Sequence, residues 1–116
     1  MKKFDLEERT AIFGQAVIIF AKKIPVNEIS RSLINQLIRS ATSIGANYLE
    51  ADDSESARDF IHKLSICKKE SRETKHWLRM IVVADQKSKA EARKLWTEAQ
   101  ELNLIFAAII HKKQSK

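Results

Sequence analysis

Residues 60–81 read FIHKLSICKKESRETKHWLRMI, and this stretch decides the fold. Phe60, Leu64, Cys67, Ser71, Thr74, Leu78 and Ile81 recur in alternating steps of four and three residues. That spacing puts all seven on one side of an α-helix, the pattern of a rod packed against neighbours along its length. The middle of the seam is polar, and buried hydroxyls are costly unless paired.

Upstream, Asp52-Asp53-Ser54-Glu55-Ser56 supplies capping side chains and acidic charge at a helix start, so the helix is expected over 56–84. Before it, Leu33, Leu37, Ala41, Ile44 and Tyr48, widened by Ile34, Ile38 and Leu49, form the stripe of a helix over 28–51 capped by Asn27. Gly45 sits in that helix four residues after Ala41. Glycine costs about 1 kcal/mol there against alanine, so it hints at a close backbone approach. A first helix over 5–23 carries Phe13, Val17, Phe20 and Ile24, and Pro25 stops it. A fourth over 89–112 opens at Ser88, with Glu91 placed for a capping box, and its seam is Ala92, Leu95, Ala99, Leu102, Phe106 and Ile109.

The three connections are short, as antiparallel neighbours require. The expected fold class is all-α: one up-down-up-down antiparallel four-helix bundle spanning 1–116. Composition agrees. Two glycines and one proline in 116 residues are too few for many β-turns, and 44% hydrophobic with 31% charged residues is neither disordered nor membrane-like. The apolar runs 16–21 and 104–110 fall well short of the roughly 20 residues a bilayer span needs. The start of the sequence lacks the apolar stretch of a signal peptide, and Cys67 stands alone, so a reducing, cytoplasmic setting is expected.

Both apolar runs are hydrophobic around the whole helix circumference. A monomer needs only one apolar stripe, so Ile18 and Ile19 on the first helix, and Leu104 and Ile105 on the fourth, are expected to join copies of the chain. The alternative is that short loops pack over them.

The formal charge of +6 favours polyanionic partners. On the third helix Lys68, Arg72, Lys75 and Arg79 share one face about 100° from the seam, with Lys69 and His76 beside it. That face is expected to be solvated and able to track an RNA or DNA backbone. Lys89, Arg93 and Lys94 extend it, and the tail adds Lys112, Lys113 and Lys116. A plain solvated face, with Glu70 and Glu73 pairing nearby cations, is the alternative.

Other chemistry finds little support. Glu73 and His76 have the Glu-x-x-His spacing of di-iron bundles, but there is one copy where two are needed, so no metal and no cofactor is expected. Cys67 lies in the core seam, where a thiol behaves as a small hydrophobe. Trp77 and Trp96 read as core or interface anchors. An enzyme is therefore not expected. Gln36, Ser40, Ser43, Asn47 and Glu50, with Arg39 beside them, recur along the second helix. They border its apolar stripe and suggest a hydrogen-bonded network that fixes helix register, with Ser71 and Thr74 opposite.

The stretch Gln36-Leu37-Ile38-Arg39-Ser40-Ala41-Thr42-Ser43-Ile44-Gly45-Ala46-Asn47-Tyr48-Leu49-Glu50-Ala51, followed by Ser71-Arg72-Glu73-Thr74-Lys75-His76-Trp77-Leu78, resembles the two signatures of a family of four-helix-bundle proteins. That family was first named from reading frames in intervening sequences of 23S ribosomal RNA genes. Ser40, Tyr48 and Ala51 depart from its pattern, which has Ala, Ile or Leu, and Gly there. Gln36, Arg39, Ser43, Asn47, Glu50, Ser71 and Glu73 match it, and their spacing suggests a structural role between the second and third helices. The resemblance implies a homopentamer. It also implies kinship with the accessory protein of diversity-generating retroelements, which engages nucleic acid and a reverse transcriptase. Two functions follow as expectations: a homo-oligomeric nucleic-acid-binding accessory module, or a protein-interaction scaffold without nucleic acid.

Overall fold

The computed structural model describes residues 5–115; Met1 to Phe4 lie outside the described residues, as does Lys116 of the basic tail. Four helices follow one another: α1 (Leu6–Lys22), α2 (Glu28–Asp52), α3 (Ala57–Ala84) and α4 (Lys89–Gln114), with a 3-10 turn (Gln86–Ser88) before α4. They form the expected all-α bundle, 47 × 29 × 20 Å.

Cross-helix pairs show that each neighbour runs antiparallel. Arg39 meets Glu73 and Glu50 meets Lys63 between α2 and α3. Lys75 meets Gln100 and Asn103 meets the Lys68 carbonyl between α3 and α4. Arg9 of α1 meets Glu98 of α4, and Lys23, the residue after α1, meets Glu91 of α4. The core takes one stripe from each helix: Phe13, Val17 and Phe20; Leu37, Ala41 and Ile44; Leu64, Cys67, Leu78 and Ile81; Leu95, Ala99, Leu102 and Phe106. Removing each large side chain from water contributes about 1.5–3 kcal/mol.

The helix starts show which local signals act. Asn27 caps α2 by accepting from the N–H groups of Ile29 and Ser30, and the Ser30 hydroxyl accepts in return from the Asn27 N–H at 2.9 Å. Asp5 and Ser56 cap α1 and α3 through the N–H groups of Glu8 and Asp59. The capping box expected at Ser88 does not form. Ser88 already has helical backbone angles, so its hydroxyl turns back to donate to the Asp85 carbonyl at 2.7 Å. Glu91 instead takes both its hydrogen bonds from Lys23. Leu49, expected in the α2 stripe, is half exposed.

Helices α1 and α2 approach through small residues. A Cβ added at Gly45 would lie 3.3 Å from the Thr10 hydroxyl oxygen, and that hydroxyl is fixed by a 2.8 Å bond to the Leu6 carbonyl. At Gly14 the nearest atom would be 3.7 Å away, an ordinary contact. Gly14→Ala is therefore expected to stabilise the fold by about 0.5–1 kcal/mol through the helix preference for alanine. Gly45→Ala should lose most or all of that gain to crowding, and urea unfolding of the two variants checks the difference.

Candidate functional site

Helix α3 lies between α2 and α4 and shows a different chemistry to each. Toward α2 it presents carboxylates. Glu70 is buried, and Arg39 reaches it at 3.3 and 3.4 Å while bonding Glu73 at 2.6 Å and Gln36 at 3.2 Å. The hydrogen bond to Glu73, more than any other influence, holds the Arg39 guanidinium above its already high ordinary pKa. One turn from Glu70, Thr74 places its hydroxyl 2.9 Å from Ser40 and 2.8 Å from the Glu70 carbonyl. Ser40, where the signature has Ala, thus belongs to a closed pair inside the core. Glu50 completes the α2–α3 seam by accepting from Lys63 at 2.6 Å.

Not every residue of the expected network joins it. Ser43 donates to the Arg39 carbonyl and Asn47 to the Ser43 carbonyl, both within α2. Ser71 faces α4, where the Asn103 amide donates to it at 3.0 Å and to the Lys68 carbonyl at 2.9 Å. Glu70 is the member that sequence reasoning did not place. It follows Lys68 and Lys69 and reads as their partner, yet it lies on the same helix face as Glu73, three residues on.

Toward α4, helix α3 presents cations. Arg72 and Arg79 are exposed, as is Lys69 farther round, but Lys68 and Lys75 are half-buried against α4. The expectation of a wholly solvated stripe is corrected here, because 100° from the seam is where the neighbouring helix rests its shoulder. Lys75 is committed: its ammonium donates to Gln100 and sits 5.1 Å above the Trp96 ring. Farther along, Arg79 meets Lys89 and Arg93 of α4 around a groove floored by Leu78, Val82, Ala92 and Trp96. Lys87 and Lys94 adjoin it at the α3–α4 turn. Among the described residues, none of Arg72, Arg79, Lys87, Lys89, Arg93 and Lys94 makes an ion pair. The α4 carboxylates Glu91, Glu98 and Glu101 all bond α1 or the residue that follows it. At the far end of α4, Lys112 and Lys113 are exposed and Lys113 lies 5.2 Å over Phe60, remote from the groove.

The apolar residues expected at an interface divide into two patches. Ile18, 39% exposed, shares a shallow α1–α2 face with Leu49, and Ile19 beside it is 57% exposed. Leu104 is 56% exposed on α4, and Ile105 is partly buried. Among the described residues no group of three His, Cys, Asp or Glu is placed to hold a metal, and no helix is long and apolar enough to cross a membrane. Cys67 is fully buried, its thiol donating weakly to the Ile44 carbonyl at 3.5 Å, and burial pushes its pKa up to about 12.

The fold is an antiparallel four-helix bundle whose third helix turns Glu70 and Glu73 toward α2 and Arg79 toward α4. The model of the 23S rRNA-intervening sequence protein family matches residues 2–108, and the chain belongs to that family. A solved structure at 1.70 Å, of a protein of unknown function from the S23 ribosomal protein family of Bacteroides thetaiotaomicron, is similar at 28% identity with a TM-score of 0.79. The match covers 91% of this chain and 98% of that one. None of the curated proteins matches the chain.

Two outcomes follow from this geometry. Arg39→Met strands a buried carboxylate at Glu70 and is expected to cost about 1–3 kcal/mol in urea unfolding, more than Lys63→Met at the exposed Glu50 pair. The raised Cys67 pKa means that the folded chain holds its thiol proton where the unfolded chain releases it. The thiol's effect on stability is therefore flat below about pH 8.5 and becomes a loss as pH rises toward 12. Cys67→Ala should remove that part of the alkaline loss, read from unfolding curves at pH 8 and 10.

Proposed function

We propose that this chain is a non-enzymatic, homo-oligomeric accessory protein that binds the RNA or DNA backbone through the basic face shared by α3 and α4. The observation that carries the reading is the sorting of charge. Among the described residues, every carboxylate of α3 and α4 that forms an ion pair turns to the α1 or α2 side, leaving Arg72, Arg79, Lys89 and Arg93 together without one. A same-sign strip whose cations make no ion pair attracts a polyanion and releases its condensed ions on contact.

Self-association is supported by the two separate apolar patches. A ring needs two different surfaces on each copy, and the α1 patch around Ile18 and Ile19 and the α4 patch at Leu104 and Ile105 are two such surfaces. The family resemblance supports a pentamer as the form of that ring, and repeating the basic face around it would raise avidity without new contacts. A lone buried thiol and the absence of a spanning helix among the described residues fit a cytoplasmic setting. The second reading, a scaffold for a reverse transcriptase or another protein, draws on Ile29 and Val83, which are 71% and 73% exposed.

The test is binding of labelled RNA and DNA across a salt series. Measurable affinity at about 50 mM salt that falls steeply by 200 mM is expected. Exchanging Arg79 and Arg93 for Glu should weaken binding at least about tenfold and flatten the log–log salt slope by about 2. No binding at low salt, together with partners that survive nuclease treatment in pull-downs, would favour the scaffold. Light scattering of Ile19→Glu and Leu104→Glu variants should show smaller particles than the native chain.

A further inference from the structure

Resting on the nucleic-acid reading above, we infer that the α3–α4 groove takes a single strand, one base lying on its apolar floor while the flanking phosphates meet Arg79, Lys89 and Arg93. Phosphate binding needs only the cations. What they surround here is apolar: Val82 and the Trp96 side chain, resting on the buried Leu78 and Ala92. The groove is shallow and open to solvent, with about 600 Å³ of space, enough for a small organic group.

A duplex fits this arrangement poorly. Its bases face each other, so only phosphate and sugar reach the protein, and charged phosphates over Val82 and Trp96 would lose water without gaining partners. An unpaired base has an exposed ring that covers such a floor and lets the backbone on either side reach the rim. Lys75 is bonded to Gln100 with its ammonium 5.1 Å over the Trp96 ring, while Arg79, Lys89 and Arg93 make no ion pair among the described residues. An acidic peptide would satisfy the same cations but would present no flat ring to the floor.

The chain has two tryptophans, so Trp77→Phe leaves Trp96 as the sole reporter of the groove. In that variant a 15-residue oligouridylate is expected to quench the emission. It should bind about tenfold tighter than duplex RNA of equal length, the margin expected for a stacked base. Trp96→Leu, checked for helicity by circular dichroism, should remove most of that margin and leave duplex binding as it was. Three results would overturn the inference while sparing the nucleic-acid reading: duplex binding as tight as single strand, binding without quenching, or a Trp96→Leu variant that keeps the margin. Displacement of oligouridylate by polyglutamate at equal charge would point to an acidic protein and overturn it too. Failure of every nucleic acid to bind at about 50 mM salt would remove both.

Discussion

The burial of polar groups in the middle of α3 constrains everything around it. Ser71 and Thr74 occupy core positions, and a hydroxyl there is tolerable only when bonded. Thr74 meets Ser40 of α2 and Ser71 meets Asn103 of α4, so the two neighbours are set in register from opposite sides of one helix. An apolar seam alone would let a helix slide by a turn at modest cost. These pairs oppose such a slip: Thr74 and Ser71 would keep the bonds to carbonyls of their own helix, but the part-buried Asn103 amide would lose both its Ser71 and Lys68 partners.

Once that register is set, the charge distribution follows. Arg39 is carried to the buried Glu70 and to Glu73, so the acidic side of α3 is neutralised by α2. Arg9 and Lys23 do the same for the acidic side of α4 from the α1 side. Ion pairs at such partly exposed positions add little stability individually. Their larger effect is to draw the carboxylates of α3 and α4 away from the face those two helices share. The basic face is therefore a product of the whole bundle and not of a single helix.

Much of this architecture is legible in the amino-acid sequence. The four-three rhythm of α3, the break at Asp52 to Ser56 and the cap at Asn27 belong to short stretches of chain, where local chemistry and final structure agree. Ser88 misleads because a capping box is defined by residue types, while its formation depends on backbone angles set by the turn before it. Arg39, Ser40 and Glu73 are legible as members of helical rows, because spacing alone aligns them. Glu70 is not, and neither is the commitment of Lys75 to Gln100 and Trp96. Those depend on which residue of a second helix lies opposite, a quantity that a single helix's periodicity does not contain. For the same reason the cluster of Arg79, Lys89 and Arg93 around an apolar floor exists only where α3 and α4 lie side by side, and no stretch of either helix alone reveals it.

The central claim, that the cations between α3 and α4 are where a polyanion sits, is tested most directly by ultraviolet crosslinking of the native chain to RNA, with the attached peptides located by mass spectrometry. Crosslinks confined to the segments around 78–82 and 89–97 are the predicted result. Crosslinks concentrated on α1 and α2, where the carboxylates and their partners lie, would contradict the account.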